Sequence, residues 1–487
     1  MRRLTLAAGV LACGLLAGCT VGPNYHRPPM PAPPAYKTEA PWRVAEPKDS
    51  IPKGAWWEIY HDAELNNYEQ QLLKANQSLA ASQDRLDQAR SLARVASAGY
   101  FPTATTDPSA SRNRYSGNRP ATTTSGNAFT QNAFAIPFLL SYEPDLFGKV
   151  RRTLEASNAS LQSTAADYYN VILVLTAELA ADYFSLRELD AEMQVVQEAV
   201  TIQQKGLQLV DARHTGGVAS GLDLAQQKTL LDSTQTQLYL VQQQRAHFEH
   251  AIAVLTGNAA STFSVPVLPL NATPPPVPLG VPSDLLERRP DVAAAERQMA
   301  YENAEVGVAT AAFYPQLTLF GGAGVQSTDI TNLFTGPSAI WALGGDLLQP
   351  VLQGGRNRAN LAATKSAYNE AEANYRESVL TAFQQVEDGL SGLTMLSQAV
   401  NTQNAAVADA RRSLELSNNR YVGGVTSYLD VITAQAALLT NQRLATQLLG
   451  QQMVTSVYLV KALGGGWDAS QIQNEQVHPK AIQAIQQ

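Results

Sequence analysis

The sequence predicts a mixed α and β chain, internally duplicated, in which two amphipathic strand hairpins alternate with two helical hairpins of column length. Three observations carry that fold class. First, Arg213-His214-Thr215-Gly216-Gly217-Val218-Ala219-Ser220-Gly221-Leu222-Asp223 recurs 207 residues later as Arg420-Tyr421-Val422-Gly423-Gly424-Val425-Thr426-Ser427-Tyr428-Leu429-Asp430. The same offset pairs Gly148 with Gly355, Leu154 with Leu361, Tyr168 with Tyr375 and Gly257 with Gly464, which marks one unit copied without internal gaps. Second, two stretches alternate apolar and polar residues with a period of two. Third, the apolar residues after Gly148 fall in two rows that each repeat every seven positions.

Taken in order, the chain opens with Arg2-Arg3, an apolar run from Leu4 to Leu16, and then Leu16-Ala17-Gly18-Cys19. The run is too short to span a bilayer and has the charged-then-apolar order of a signal peptide. It resembles a bacterial lipoprotein signal with its lipobox. That resemblance implies removal of residues 1–18 and a mature chain whose single cysteine, Cys19, carries N-palmitoyl and S-diacylglycerol groups. Thr20 in the next position, rather than Asp, implies sorting to the outer membrane.

Residues 19–61 are rich in proline and read as an extended tether ending in a packed segment with Trp56 and Trp57. The first repeat is expected over 62–257. From Asp62 to about Gly99, the spacing of Leu65, Tyr68, Leu72, Leu79 and Leu86 predicts one helix. Its counterpart runs from near Pro282-Ser283-Asp284 to Phe313-Tyr314-Pro315, at an offset of 213. The offset changes between Pro102 and Gly148, so the unit varies in length only there. A loop is expected in that interval.

Residues 103–147 read as a strand hairpin. Ala128, Thr130, Asn132, Phe134, Ile136, Phe138, Leu140 and Tyr142 form one face, opposite Gln131, Ala133, Ser141 and Glu143. A second hairpin is expected over 316–352. There Leu317, Leu319, Gly321, Ala323 and Val325 alternate with Gln316, Thr318, Gly322 and Gln326, and a return strand runs from Ile340 to Leu352. Two hairpins give four strands, and four strands cannot close. An open edge is not tolerated in hydrocarbon, and known outer-membrane barrels begin at about eight strands. Strands that enter a membrane therefore demand several chains in one barrel.

After Gly148 one row is Ile172, Leu179, Leu186, Met193, Val200 and Leu207. The other is Leu154, Leu161, Tyr168, Leu175, Leu189, Val196 and Val210, interrupted by Asp182 and Gln203. At 1.5 Å per residue, a helix of some 65 residues reaches about 100 Å. Paired glycines supply the positive φ that ends such a helix, and Ser220 and Ser427 are expected to cap the outgoing ones. The hairpin tips thus fall at Gly216-Gly217 and Gly423-Gly424. A proline-rich connector over 258–282 leads to the second repeat, 283–466, and to a polar, loosely held tail, 467–487.

The net charge of −7 offers no basic patch for nucleic acid. No phosphate loop, zinc helix motif or nucleophile elbow occurs, so neither an enzyme nor a metal or other cofactor is expected. His247 and His250 flank Phe248 of an apolar row and read as solvated rather than as ligands. Asp223 and Asp430 read equally as acids favoured in a first helical turn and as gating groups. Arg213 and Arg420, near helix C-termini, carry the same dipole reading.

The lipobox, the duplicated hairpins, Leu285-Leu286-Glu287-Arg288-Arg289-Pro290-Asp291, Phe313-Tyr314-Pro315 and Ala462-Leu463-Gly464-Gly465-Gly466-Trp467 together resemble the outer-membrane factors of tripartite efflux pumps, in their lipoprotein branch. The resemblance implies a homotrimer with a twelve-stranded outer-membrane barrel continuing into a periplasmic α-barrel. It implies a passive gated duct for drugs or other small molecules, joined by a periplasmic adaptor to an inner-membrane transporter. It also implies a periplasmic gate just beyond the second Gly-Gly turn, with Leu429 in an apolar ring and Tyr421 at a closing contact. Many relatives carry an acid where this chain has Thr433, and Asp430 stands nearby as a substitute. The Gly216-Gly217 and Gly423-Gly424 tips are the expected adaptor contacts. A secretion duct for polypeptides has the same architecture, whereas a non-pore coiled-coil scaffold would have no need of amphipathic hairpins.

Overall fold

The computed structural model describes residues 20–29, 54–117, 128–276 and 288–479. The order is α1 (Ala63–Ala75), α2 (Gln77–Ala98), β1 (Thr103–Thr106), β2 (Ser109–Tyr115), β3 (Phe129–Tyr142), α3 (Lys149–Thr215), α4 (Gly221–Leu255), α5 (Pro290–Ala311), β4 (Gln316–Ser327), β5 (Ala339–Leu348), α6 (Arg356–Val422), α7 (Tyr428–Ala462) and α8 (Ser470–Gln473). The helices α3 and α6 each run 67 residues, α4 and α7 each 35. Both long helices therefore reach about 100 Å.

The heptad rows become the buried faces of these helices. Leu179, Leu186, Leu161, Val196 and Val210 are all at most 1% exposed. The polar interruption Gln203 is equally buried: its backbone carbonyl accepts the side-chain amide of Gln227 at 2.8 Å, while its own side-chain oxygen has no hydrogen-bond partner among the described residues. The largest core joins both repeats. Trp56, Trp57, Leu65 and Leu72 of the N-terminal part meet Tyr183 and Phe184 of α3, Ile252 of α4, Leu390 of α6 and Met453 and Val457 of α7. The Trp56 indole donates to the Thr176 hydroxyl at 3.1 Å, satisfying the one polar atom that a buried tryptophan brings. A carboxylate–guanidinium lattice borders this core: Asp190 accepts from Arg187 at 3.1 Å and from Arg245 at 2.6 Å.

Two stretches of the resemblance meet there. Arg289 donates to the Ala462 carbonyl at 3.0 Å and pairs with Asp291 at 2.6 Å. Gly464 sits so close to the Arg288 backbone that an added Cβ would lie 1.9 Å from its carbonyl oxygen. Leu285 to Glu287 lie outside the described residues.

Several expectations need correction. The single helix over 62–99 is two, broken at Asn76, whose extended backbone (ψ 124°) ends α1 while its side chain accepts from the Leu79 amide and caps α2. The first strand is interrupted at Asp107-Pro108, where proline cannot donate to the ladder, so β1 and β2 both pair with β3. The second hairpin ends at Leu348 rather than Leu352, with Val351 and Leu352 each 91% exposed. The tail is not loose over 467–479: Trp467 and Ile472 are buried, Arg90 pairs with Glu475, and Asn158 exchanges hydrogen bonds with Val477.

The sheet is antiparallel, with β3–β4–β5 in sequence and β1 and β2 together forming one stave. Its register assigns the faces. Phe134, Ile136, Phe138 and Leu140 share one side with Leu317, Leu319, Ala323, Val325, Trp341, Leu343 and Leu347. Trp341 and Leu343 are 82% exposed on it. The other side carries Gln131, Ala133, Ser141, Thr318, Gln326 and Asp346. Leu139, Phe320, Ile340 and Leu348 also lie on this second side, so one face is apolar along its length and the other is mixed. Among the described residues both outer staves leave a free edge.

Candidate functional site

The candidate site is the pair of helical-hairpin tips. Each incoming helix ends in the same way. The Val218 amide donates to the Arg213 carbonyl at 2.8 Å and the Gly217 amide to His214 at 2.9 Å. In the second copy Val425 bonds Arg420 at 2.9 Å and Gly424 bonds Tyr421 at 3.0 Å. This double bond pattern needs a left-handed residue just past the helix. Gly217 (φ +75°) and Gly424 (φ +72°) provide it. Gly216 and Gly423, at φ −75° and −74°, do not, so only the second glycine of each pair supplies positive φ.

The outgoing helices start differently. Ser220 and Asp223 form a reciprocal capping box, each side chain bonding the other's backbone amide at 3.2 and 3.1 Å. This accounts for Asp223 as a cap. Ser427 occupies the cap position of α7 but makes no side-chain bond, contrary to expectation. Instead the Thr426 hydroxyl donates to the Asp430 carboxylate.

Leu429, Asp430 and Thr433 are all exposed on α7, while Tyr428, Val431, Ala434 and Gln435 are buried on its other side. Leu429, 50% exposed, is the apolar member of this open face. Thr433 turns its hydroxyl back to the Leu429 carbonyl at 2.8 Å, which leaves its methyl as the outward group. Asp430 is thus the only ionisable group among the three.

The buried side of α7 holds the two hairpins together. The Arg213 guanidinium lies 4.8 Å from the Tyr421 ring centre, and the Tyr421 and Tyr428 rings are 4.8 Å apart. The Tyr428 hydroxyl donates to the Gln227 side chain at 3.0 Å, and Gln227 donates on to Gln203. Burial, with the Tyr421 and Asp223 charges beside it, pushes the Tyr428 phenol up to about 12. It therefore remains a donor at any physiological pH. Arg213 is more than a charge at a helix end: it is a cation–π tie between repeats. Sequence reading missed Tyr428 and Gln227. The signal was the repeat itself, since position 421 answers His214, 428 answers Gly221 and 227 answers Ala434. The copies differ where they touch each other.

His247 and His250 are exposed, and no cluster of three or more metal-ligating acids, histidines or cysteines occurs among the described residues. Cys19 lies outside the described residues. Thr20 does not: its neighbour Val21 donates to the Phe147 carbonyl at 3.2 Å, and Arg152 donates to Asn24 at 2.8 Å. The N-terminal segment is therefore pinned at the junction of β3 and α3.

Comparison with known proteins agrees with this geometry. The family model for the outer membrane efflux protein matches residues 69–258 and 281–465. The solvent efflux pump outer membrane protein SrpC of Pseudomonas putida is 30% identical over 462 residues, covering 94% of this chain and 97% of that protein. The pyoverdine export outer membrane protein OpmQ of Pseudomonas aeruginosa is 31% identical over 475 residues, covering 96% and 98%. Among solved structures, the outer-membrane channel OprN superposes with a TM-score of 0.85 at 27% identity, over 92% of this chain and all of that one. The CmeC outer membrane channel of Campylobacter jejuni gives 0.85 at 25% identity, over 94% and 99%.

Proposed function

The chain belongs to the outer membrane efflux protein family and is an outer-membrane channel component of an efflux pump, and on that premise we propose how it assembles and opens. Three copies share one barrel, each contributing four staves, and their long helices continue it as a periplasmic duct. The observation that carries this reading is the sheet. One face is apolar and exposed along its length, the other mixed, and among the described residues both edges are unpaired, a state that hydrocarbon does not tolerate in a single chain. Closure through copies of the same edge pair satisfies every strand at once.

The duct is passive. A periplasmic adaptor and an inner-membrane transporter supply coupling, and the adaptor meets the tips at Gly216-Gly217 and Gly423-Gly424. Leu429 and Asp430 line the constriction, with Thr433 contributing a methyl. Tyr421 braces α7 from behind. Opening is a population shift between closed and dilated tips. Cys19 carries N-palmitoyl and S-diacylglycerol chains, a reading supported by the way Val21 is held beside the strand–helix junction. The cargo is drugs or other small molecules.

The test is single-channel conductance of the purified mature protein in a planar bilayer, together with its mass in detergent. A trimer with small, rare openings is expected. A monomer with no conductance overturns the shared barrel.

A further inference from the structure

A second surface lies above the lipid-facing belt. In register, Leu317 and Leu347 open that belt and Phe134, opposite Ser327, closes it. The ten-residue step from Leu317 to Ser327 is about 34 Å of strand, and a tilt near 40° leaves about 26 Å of height, close to the band of about 25 Å typical of such barrels. β4 stops at this level, but β2 and β3 continue together. Their next residues on the same face are Arg112 opposite Asn132 and Arg114 opposite Thr130. All of β2 is exposed. The two arginines are about 7 Å apart along the strand. Neither forms an ion pair among the described residues. The nearest acids in chain order are Asp107, at the β1–β2 break, and Glu143, beyond the far end of β3, where it pairs with Lys149.

The long helices leave the opposite end of the sheet toward the periplasm, so this end faces outward. A cationic, donor-rich ladder two to four residues above an apolar belt meets the headgroup layer of the outer leaflet, where glycolipids bear phosphates. We propose that Arg112 and Arg114, with Asn132 and Thr130, form a docking surface for the phosphate of an outer-leaflet glycolipid. The guanidinium fork matches phosphate oxygens two at a time, and the acyl chains of the same lipid lie against Phe134, Ile136 and Phe138 below. Continuity with that belt selects a lipid-borne phosphate over a soluble anion. The proposal rests on the barrel reading above.

The experiment is native mass spectrometry of the full-length protein in mild detergent with added lipid A. The same protein is offered dephosphorylated lipid A and, separately, inorganic phosphate in millimolar excess as competitor. Retention of lipid A is expected to fall roughly ten- to thirtyfold in the Arg112→Gln/Arg114→Gln double variant. It should persist in the Arg112→Lys/Arg114→Lys pair and be unchanged in Ser111→Ala on the opposite face. Equal retention by the double variant, equal retention of dephosphorylated lipid A by the unaltered protein, or displacement by inorganic phosphate overturns the proposal. Assembly mass and conductance, measured in parallel, report the barrel itself, so failure of the barrel reading shows separately. Should the double variant not assemble, the phosphorylated and dephosphorylated lipids on the unaltered protein still decide.

Discussion

Glu69 lies four residues after Leu65 and three before Leu72, so helical geometry turns it into the core that both enter. It is fully buried, and neither carboxylate oxygen has a hydrogen-bond partner among the described residues. Burial alone pushes its carboxyl well above the usual range, so it folds protonated. The sign follows. Below the ordinary carboxylate range, folded and unfolded chains are both neutral there and the group carries no pH-linked penalty. As pH rises from that range toward the folded value, only the unfolded chain ionises, and stability falls by about 1.4 kcal/mol per unit. Glu69→Leu should raise the thermal midpoint at pH 8 and raise it less at pH 5. Equal gains at both pH values would refute a buried neutral carboxyl. Leu429 makes a different argument at the same scale. Half exposed beside an otherwise polar strip, it has no packing role to lose. Leu429→Ala is therefore expected to raise ion leakage through reconstituted channels while leaving the unfolding free energy within about 0.5 kcal/mol of the parent. Unchanged conductance removes it from the constriction.

Among elements, the helical hairpins were the most legible part of the sequence. Rows such as Leu179–Leu186 and Leu161–Val196 run for dozens of residues, and a period sustained that long has no competing reading. The break at Asn76 was less visible, because one residue both ends α1 and caps α2 without disturbing the spacing of Leu72 and Leu79. At the tips the glycine pairs were read as equivalent, yet only their second members need positive φ. Gly217→Ala and Gly424→Ala should each cost about 1–2 kcal/mol, whereas Gly216→Ala and Gly423→Ala should be neutral or slightly stabilising. Urea unfolding compares the four. A common loss would mean that the tips need smallness rather than handedness. The ties between hairpins were illegible for another reason. Arg213 on Tyr421, and Tyr428 on Gln227, join residues some two hundred positions apart, and no local pattern announces such a pairing. A third tie crosses the middle of the column. Arg443 donates to Glu192 at 2.7 Å with Gln447 beside it at 3.1 Å. Glu192 is 2% exposed. Arg443→Ala leaves this carboxylate without its counter-charge, with the Gln447 amide still donating, and should cost about 1–3 kcal/mol, and Arg443→Ala with Glu192→Gln should recover part of it. No recovery would mean that the arginine acts by packing.

For the whole molecule, the question is what holds it in the membrane. In the proposed shared barrel a belt about 26 Å high, facing outward from every stave, would bury many large side chains per chain, each worth about 1.5–3 kcal/mol when fully transferred from water. On the proposed lipidation of Cys19, acyl chains would add about 0.8 kcal/mol per buried CH₂, a contribution of similar kind but confined to one end. Val21 and Arg152 already hold that end at the strand–helix junction by protein contacts. On the proposed assembly the lipid would therefore be redundant for residence once the barrel had closed, and its use would lie earlier, in bringing an open sheet to the bilayer before its edges could pair with anything else. Replacing residues 1–19 by a signal peptide that leaves no lipidated cysteine separates the two roles. The mature chain should resist extraction by alkaline carbonate and conduct like the parent, while the trimer appears more slowly in pulse-labelled cells. Loss of the protein from the membrane at steady state would instead make the lipid a permanent part of the anchor, and unchanged assembly kinetics would leave it without a role in closing the sheet.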